Sequence, residues 1–115
     1  MKELQLCEEA PRRYFWYAGQ QSGRLEGFRL PEISRFFGII IAMFYSDHPP
    51  PHFHVRYGRE RAVIEIESLS LLGGRLAPRA LGLVIEWAAQ HQDELRANWE
   101  LARRHAPLHP IAPLE

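Results

Sequence analysis

Three patterns of apolar and polar positions follow one another along this chain. From Ile33 to Tyr45 the residues Ile33-Ser34-Arg35-Phe36-Phe37-Gly38-Ile39-Ile40-Ile41-Ala42-Met43-Phe44-Tyr45 are largely β-branched or aromatic, and apolar on both parities. A run of that kind predicts a strand covered, at least in part, on both faces. Asp47-His48-Pro49-Pro50-Pro51 then interrupts it, because prolines offer no backbone donor and hold the chain extended. Next come two alternating stretches, His52-Phe53-His54-Val55-Arg56-Tyr57 and Ala62-Val63-Ile64-Glu65-Ile66-Glu67, separated by Gly58-Arg59-Glu60-Arg61. Alternation with a short glycine-bearing connection predicts a β-hairpin. Gly73-Gly74 closes the β region.

The period then becomes helical. Pro78 suits a first-turn position, and Leu81, Val84, Ile85 and Ala88, widened by Leu83 and Trp87, make one apolar face. Polar residues from Gln90 to Asp93 interrupt the stripe before Leu95, Trp99 and Ala102 resume it, which predicts two helices or one kinked helix. Asp93 is a candidate local cap. The tail Pro107-Leu108-His109-Pro110-Ile111-Ala112-Pro113-Leu114 is barred from helix by its prolines and reads as an extended, apolar arm suited to docking a partner. The pattern therefore predicts an α+β domain over residues 31–106, a small antiparallel sheet of three to four strands packed on two C-terminal helices. Residues 1–30 form an N-terminal extension with an aromatic run, Tyr14-Phe15-Trp16-Tyr17, that favours a strand. Residues 107–115 are the tail.

Composition narrows the function classes. The chain has 115 residues, 46% of them hydrophobic, which suits one compact domain. Lys plus Arg and Asp plus Glu each number 14, so the formal charge is zero, which argues against a whole-domain electrostatic grip on nucleic acid or an anionic membrane. Cys7 is the single cysteine, which rules out an intramolecular disulfide and a multi-cysteine metal cluster. The longest apolar stretch, Phe36 to Tyr45, is far below the about 18 residues that span a bilayer, and no apolar leader is visible. A cytoplasmic protein without membrane contact is the expectation.

The hairpin carries the candidate chemistry. Alternation puts Phe53, Val55 and Tyr57 on one face and His52, His54 and Arg56 on the other. With Tyr57 opposite Ala62, His54 faces Glu65 and His52 faces Glu67, close enough for both imidazole–carboxylate pairs to touch. One reading is an ordinary solvated sheet face, each pair contributing about 0.2–1 kcal/mol. The other is a site in which His52, His54, Glu65 and Glu67 do acid–base or metal-assisted chemistry. Two histidines at i, i+2 can chelate one divalent ion, and His48 joins them as a third candidate ligand. Asp47 and His48 stand on a proline-stiffened loop able to return over the same face. Arg56, Arg59 and Arg61 form a local basic edge at the hairpin turn and are candidate nucleic-acid contacts.

A resemblance adds to this. Ile33-Ser34-Arg35-Phe36-Phe37-Gly38, Asp47-His48-Pro49-Pro50-Pro51-His52-Phe53-His54, Arg79-Ala80-Leu81 through Glu86-Trp87, and Asn98-Trp99 resemble the bacterial family called domain of unknown function 4160. The likeness runs from about Leu30 to Leu114, with the histidine–proline–histidine block its most specific part. It implies a short α+β domain whose gene often adjoins one for a domain of unknown function 2442, in a layout similar to toxin–antitoxin pairs. No activity, and so no catalytic residue and no established cofactor, comes with it. The resulting expectation is one component of a two-gene module acting through contact with a small protein partner. The alternatives are a small metal-dependent or histidine-based nuclease or hydrolase, and a nucleic-acid-binding module.

Overall fold

A computed structural model describes residues 31–115; the strand expected at the aromatic run and the surroundings of Cys7 lie outside them. Five strands, β1 (Glu32–Phe36), β2 (Ile39–Ala42), β3 (His52–Tyr57), β4 (Glu60–Glu65) and β5 (Leu71–Gly74), form one antiparallel sheet in sequence order. Two helices follow, α1 (Pro78–Gln90) and α2 (Gln92–Arg103). The α+β class holds, with five strands in place of the three to four expected.

The extra strand comes from the Ile33–Tyr45 run. It is not one strand covered on both faces but a hairpin, with Phe36 opposite Ile39 and Phe37-Gly38 as the turn. Both turn residues have positive φ, 48° and 80°, the requirement of a type I′ connection. Its apolar character on both parities thus belongs to two short strands. A fifth strand forms at Leu71–Gly74, where the glycines were expected to end the sheet.

In the second hairpin the predicted parity holds and the register does not. Tyr57 pairs with Glu60 rather than Ala62, so every cross-strand pair moves by two residues and β4 begins at Glu60. The cause is the turn. Gly58, at φ 62°, takes the first position of a two-residue loop with Arg59, the arrangement of type II′, whose twist suits paired strands. A two-residue shift keeps every side chain on its face.

The inner face of the sheet makes the core. Ile39, Ile41, Phe53, Val55, Ala62 and Ile64 are buried together with Ala80, Val84, Trp87 and Ala88 of α1 and Leu95 and Trp99 of α2. Trp87 lies 5.4 Å from the Phe36 ring and 6.1 Å from Phe53. The helices break at His91, as the polar interruption predicted. Asp93 does not cap α2; it sits in the first turn and pairs with Arg96 at 2.6 Å.

The tail is extended, as its prolines require, but it is folded onto the domain. Ile111 is buried in the core and its N–H donates to the Ile33 carbonyl at 2.8 Å. Trp87 Nε1 donates to the Ala112 carbonyl, and the Asn98 amide holds both the N–H and the C=O of His109. The apolar arm expected to await a partner is occupied with its own core.

Candidate functional site

The outer face of the sheet is formed by the opposite parity of β3 and β4. There His52 stands opposite Glu65, His54 opposite Val63 and Arg56 opposite Arg61. On the other side of β3, Ala42 faces His54 and Ile40 faces Arg56. The imidazoles do not point at solvated glutamates. His52 is fully buried and His54 nearly so.

A carboxylate from the loop takes the place assigned to the glutamates. The loop between β2 and β3 folds back so that Asp47 Oδ2 lies 2.9 Å from His52 Nε2 and 2.9 Å from His54 Nε2. His52 Nδ1 donates to the Pro50 carbonyl at 2.7 Å, so the prolines supply an acceptor as well as stiffness. Phe44 packs on the His54 ring at 4.3 Å, and Trp99 approaches His52 at 5.1 Å. The other Asp47 oxygen, Oδ1, accepts the His48 backbone N–H at 2.9 Å.

Electrostatics fix the charge states in part. Burial alone would raise the Asp47 carboxyl, but hydrogen bonds from His52 and His54, with their charges, hold it well below the usual carboxylate range. Burial pushes His54 below the ordinary imidazole value, and Asp47 offsets that only in part. Proton bookkeeping for His52 is constrained. The Pro50 carbonyl only accepts, so Nδ1 carries a hydrogen, and Nε2 faces an acceptor too. Either a second proton or a cation must therefore stand between Nε2 and the carboxylate.

A shared proton fits the 2.9 Å contacts as they stand, whereas one ion would need the three ligand atoms to draw in around it. With metal–ligand bonds of about 2.1 Å, neighbouring ligand atoms stand about 3.0 Å apart at right angles and about 3.4 Å apart in a tetrahedron. The three ligand atoms offered by Asp47, His52 and His54 all lie within 4.8 Å of one another. A histidine whose Nδ1–H is fixed by a backbone carbonyl and whose Nε2 faces inward is the common second-shell arrangement of a metal ligand.

The remaining sequence candidates lie elsewhere. Glu65 accepts a hydrogen bond from Ser68 Oγ at 2.6 Å. Glu67, beyond the end of β4, is held by Arg96 at 2.6 and 2.9 Å, which lowers its pKa and raises that of Arg96. Neither carboxylate is hydrogen-bonded to an imidazole. His48 has an exposed side chain and contributes its backbone N–H. Arg56 and Arg61 meet directly across the ladder, half-buried, while Arg59 is exposed in the turn. The proline-stiffened loop does return over this face, as the sequence allows, and it brings Asp47 rather than the His48 side chain to both imidazoles.

The fold and site define a class: a small α+β domain with a buried carboxylate–bis-histidine cluster on the outer face of its sheet. Within that class the chain is a member of the family described as domain of unknown function (DUF4160), whose model matches residues 38–100. The match covers the cluster and both aromatic anchors of the helices. No curated protein and no solved structure matches the chain. No helix among the described residues is long and apolar enough to cross a membrane.

Proposed function

We propose that this domain binds one divalent metal ion through Asp47 Oδ2, His52 Nε2 and His54 Nε2, and acts as a small metal-dependent hydrolase. The observation that carries this reading is the convergence of two buried imidazole nitrogens on a single carboxylate oxygen, with the His52 tautomer preset by Pro50. Three protein ligands leave a coordination position for water, which such an ion acidifies toward a pKa of about 7. Asp47 and His54 keep 8% and 9% of their side-chain surface exposed while His52 has none, so access is from the Asp47–His54 side. Calorimetric titration with zinc or manganese tests the binding. One site is expected in the wild type and none in Asp47→Asn. Hydrolysis of a chromogenic phosphodiester, dependent on the same metal and lost in the same variant, tests the chemistry. Metal binding unaffected by Asp47→Asn would contradict the assignment.

A different observation favours a second reading, contact with a small protein partner within a toxin–antitoxin-like two-gene module. At the hairpin end of the inner face, Phe37, Ile39, Tyr57, Arg79, Ala80 and Leu83 line an open groove of about 370 Å³. Phe37 is 60% exposed, large for an aromatic ring. A stable complex with the product of the adjoining gene, weakened by Phe37→Ser, would support it; no complex at micromolar concentrations would not.

A further inference from the structure

The outer face carries a second feature that the metal ligands do not use. Arg56 and Arg61 are direct cross-strand partners, so their Cβ atoms stand about 4.5–5.5 Å apart. Like charges in that position oppose pairing of the strands. A carboxylate beside them would remove the conflict, yet among the described residues neither guanidinium makes an ion pair. The nearby acids are engaged with other groups. Glu32 is bound to Arg35, Glu60 lies 3.7 Å from Arg75 and accepts the Ala77 N–H, and Glu65 accepts from Ser68. Ile40, between Arg35 and Arg56 in the row across the sheet, adds no charge. Two half-buried arginines therefore share one face as direct cross-strand partners, and the charge they lack is anionic.

We propose that Arg56 and Arg61 bind a phosphate of a single-stranded polynucleotide, and that the adjacent phosphodiester is the substrate of the metal centre. The assignment of a substrate rests on the metal reading above; the phosphate site does not. Guanidinium forks match phosphate oxygens in bidentate geometry, which a pair of ammonium groups cannot reproduce. Arg56 follows His54 by two residues on the same strand face, a separation of about 6.6–6.8 Å along β3. That distance is comparable with one nucleotide of extended backbone, so one phosphate on the arginines sets the next toward Asp47 and His54. Arg59, exposed in the turn, lies on the far side and extends the track by one charge. The zero net charge of the chain confines the attraction to this strip. A short footprint follows: two phosphate contacts predict a salt dependence of about −1.4 in log K against log salt for a single strand.

Anisotropy with a labelled oligouridine 12-mer and its deoxy counterpart tests this, in EDTA so that binding is read without cleavage. Wild type is expected to bind, and Arg56→Ala plus Arg61→Ala to bind at least about tenfold more weakly with a shallower salt slope. Arg56→Lys plus Arg61→Lys should lie between them, since charge returns without the fork. Arg61→Glu is the folding control. It puts an opposite charge beside Arg56, so it should melt no lower than wild type and yet lose the oligonucleotide. Equal binding by wild type and the double alanine variant would overturn the proposal, as would no binding by wild type at millimolar protein. Inorganic phosphate competing as well, per phosphate, as the 12-mer would overturn the polynucleotide assignment. Binding to RNA alone, or to both strands equally, supports it and names the source. Asp47→Asn separates the two readings: it should keep oligonucleotide binding and lose metal. Arginine-dependent binding in a protein that takes up no metal would sink the hydrolase reading and leave the phosphate site standing.

Discussion

The two faces of the sheet solve burial in opposite ways. The inner face is closed by Trp87, Val84 and Leu95 against Phe53, Ile41 and Ile64, all apolar, and its stability comes from area removed from water. Among the described residues the one polar side chain stranded there is Ser34, whose Oγ is buried without a hydrogen-bond partner. The outer face buries Asp47, His52 and His54 together and satisfies them with one another and with Pro50. Burying polar groups is costly unless each is paired. A fold that needed only stability would fill this region as it filled the inner face. The contrast marks the outer face as the part of the molecule shaped by something other than packing.

Substitutions can widen or erase that contrast. Trp87→Ala removes the ring that joins α1 to Phe36 and Phe53 and the N–H that holds the tail. A loss of about 3–5 kcal/mol in chemical denaturation is expected. On the outer face, Asp47→Ala leaves two buried imidazoles without their shared acceptor and should cost about 1–3 kcal/mol in metal-free protein. If Asp47→Ala were neutral, the cluster would not be a satisfied network and the contrast would fail. Ser34→Ala tests the same principle with the opposite sign. Removing a buried hydroxyl that bonds to nothing should stabilise the domain by about 1 kcal/mol, seen as a higher denaturation midpoint. Smallest of all is Glu67→Gln, which alters only an exposed pair with Arg96. No resolvable change in the denaturation midpoint and no change in metal binding are expected.

The same division explains what could be read from the sequence. Faces were legible, because alternation in 52–57 and 62–67 has only two solutions and one of them exposes the isoleucines. Helices were legible from the stripe through Val84, Trp87, Leu95 and Trp99, and the break at His91 from the polar gap. Register was not, since a shift by two residues leaves parity unchanged; Gly58 in a two-residue turn decides it. That shift moved Glu67 off the strand and left the histidines to Asp47. The loop carries no periodicity, so nothing in the pattern fixed where Asp47 would land. The Ile33–Tyr45 run misled for a related reason, as Gly38 inside an apolar stretch marks a turn rather than a covered strand. The tail deceived by composition. Its apolar residues belong to this core through Ile111 and Asn98.

The most direct measurement follows the side-chain nitrogens of all the histidines by NMR during a zinc titration. The account predicts that His52 and His54 Nε2 shift together and saturate at one equivalent, while His91, His105 and His109 stay in place. Unchanged His52 and His54 resonances at millimolar zinc, or shifts confined to the exposed histidines, would contradict it.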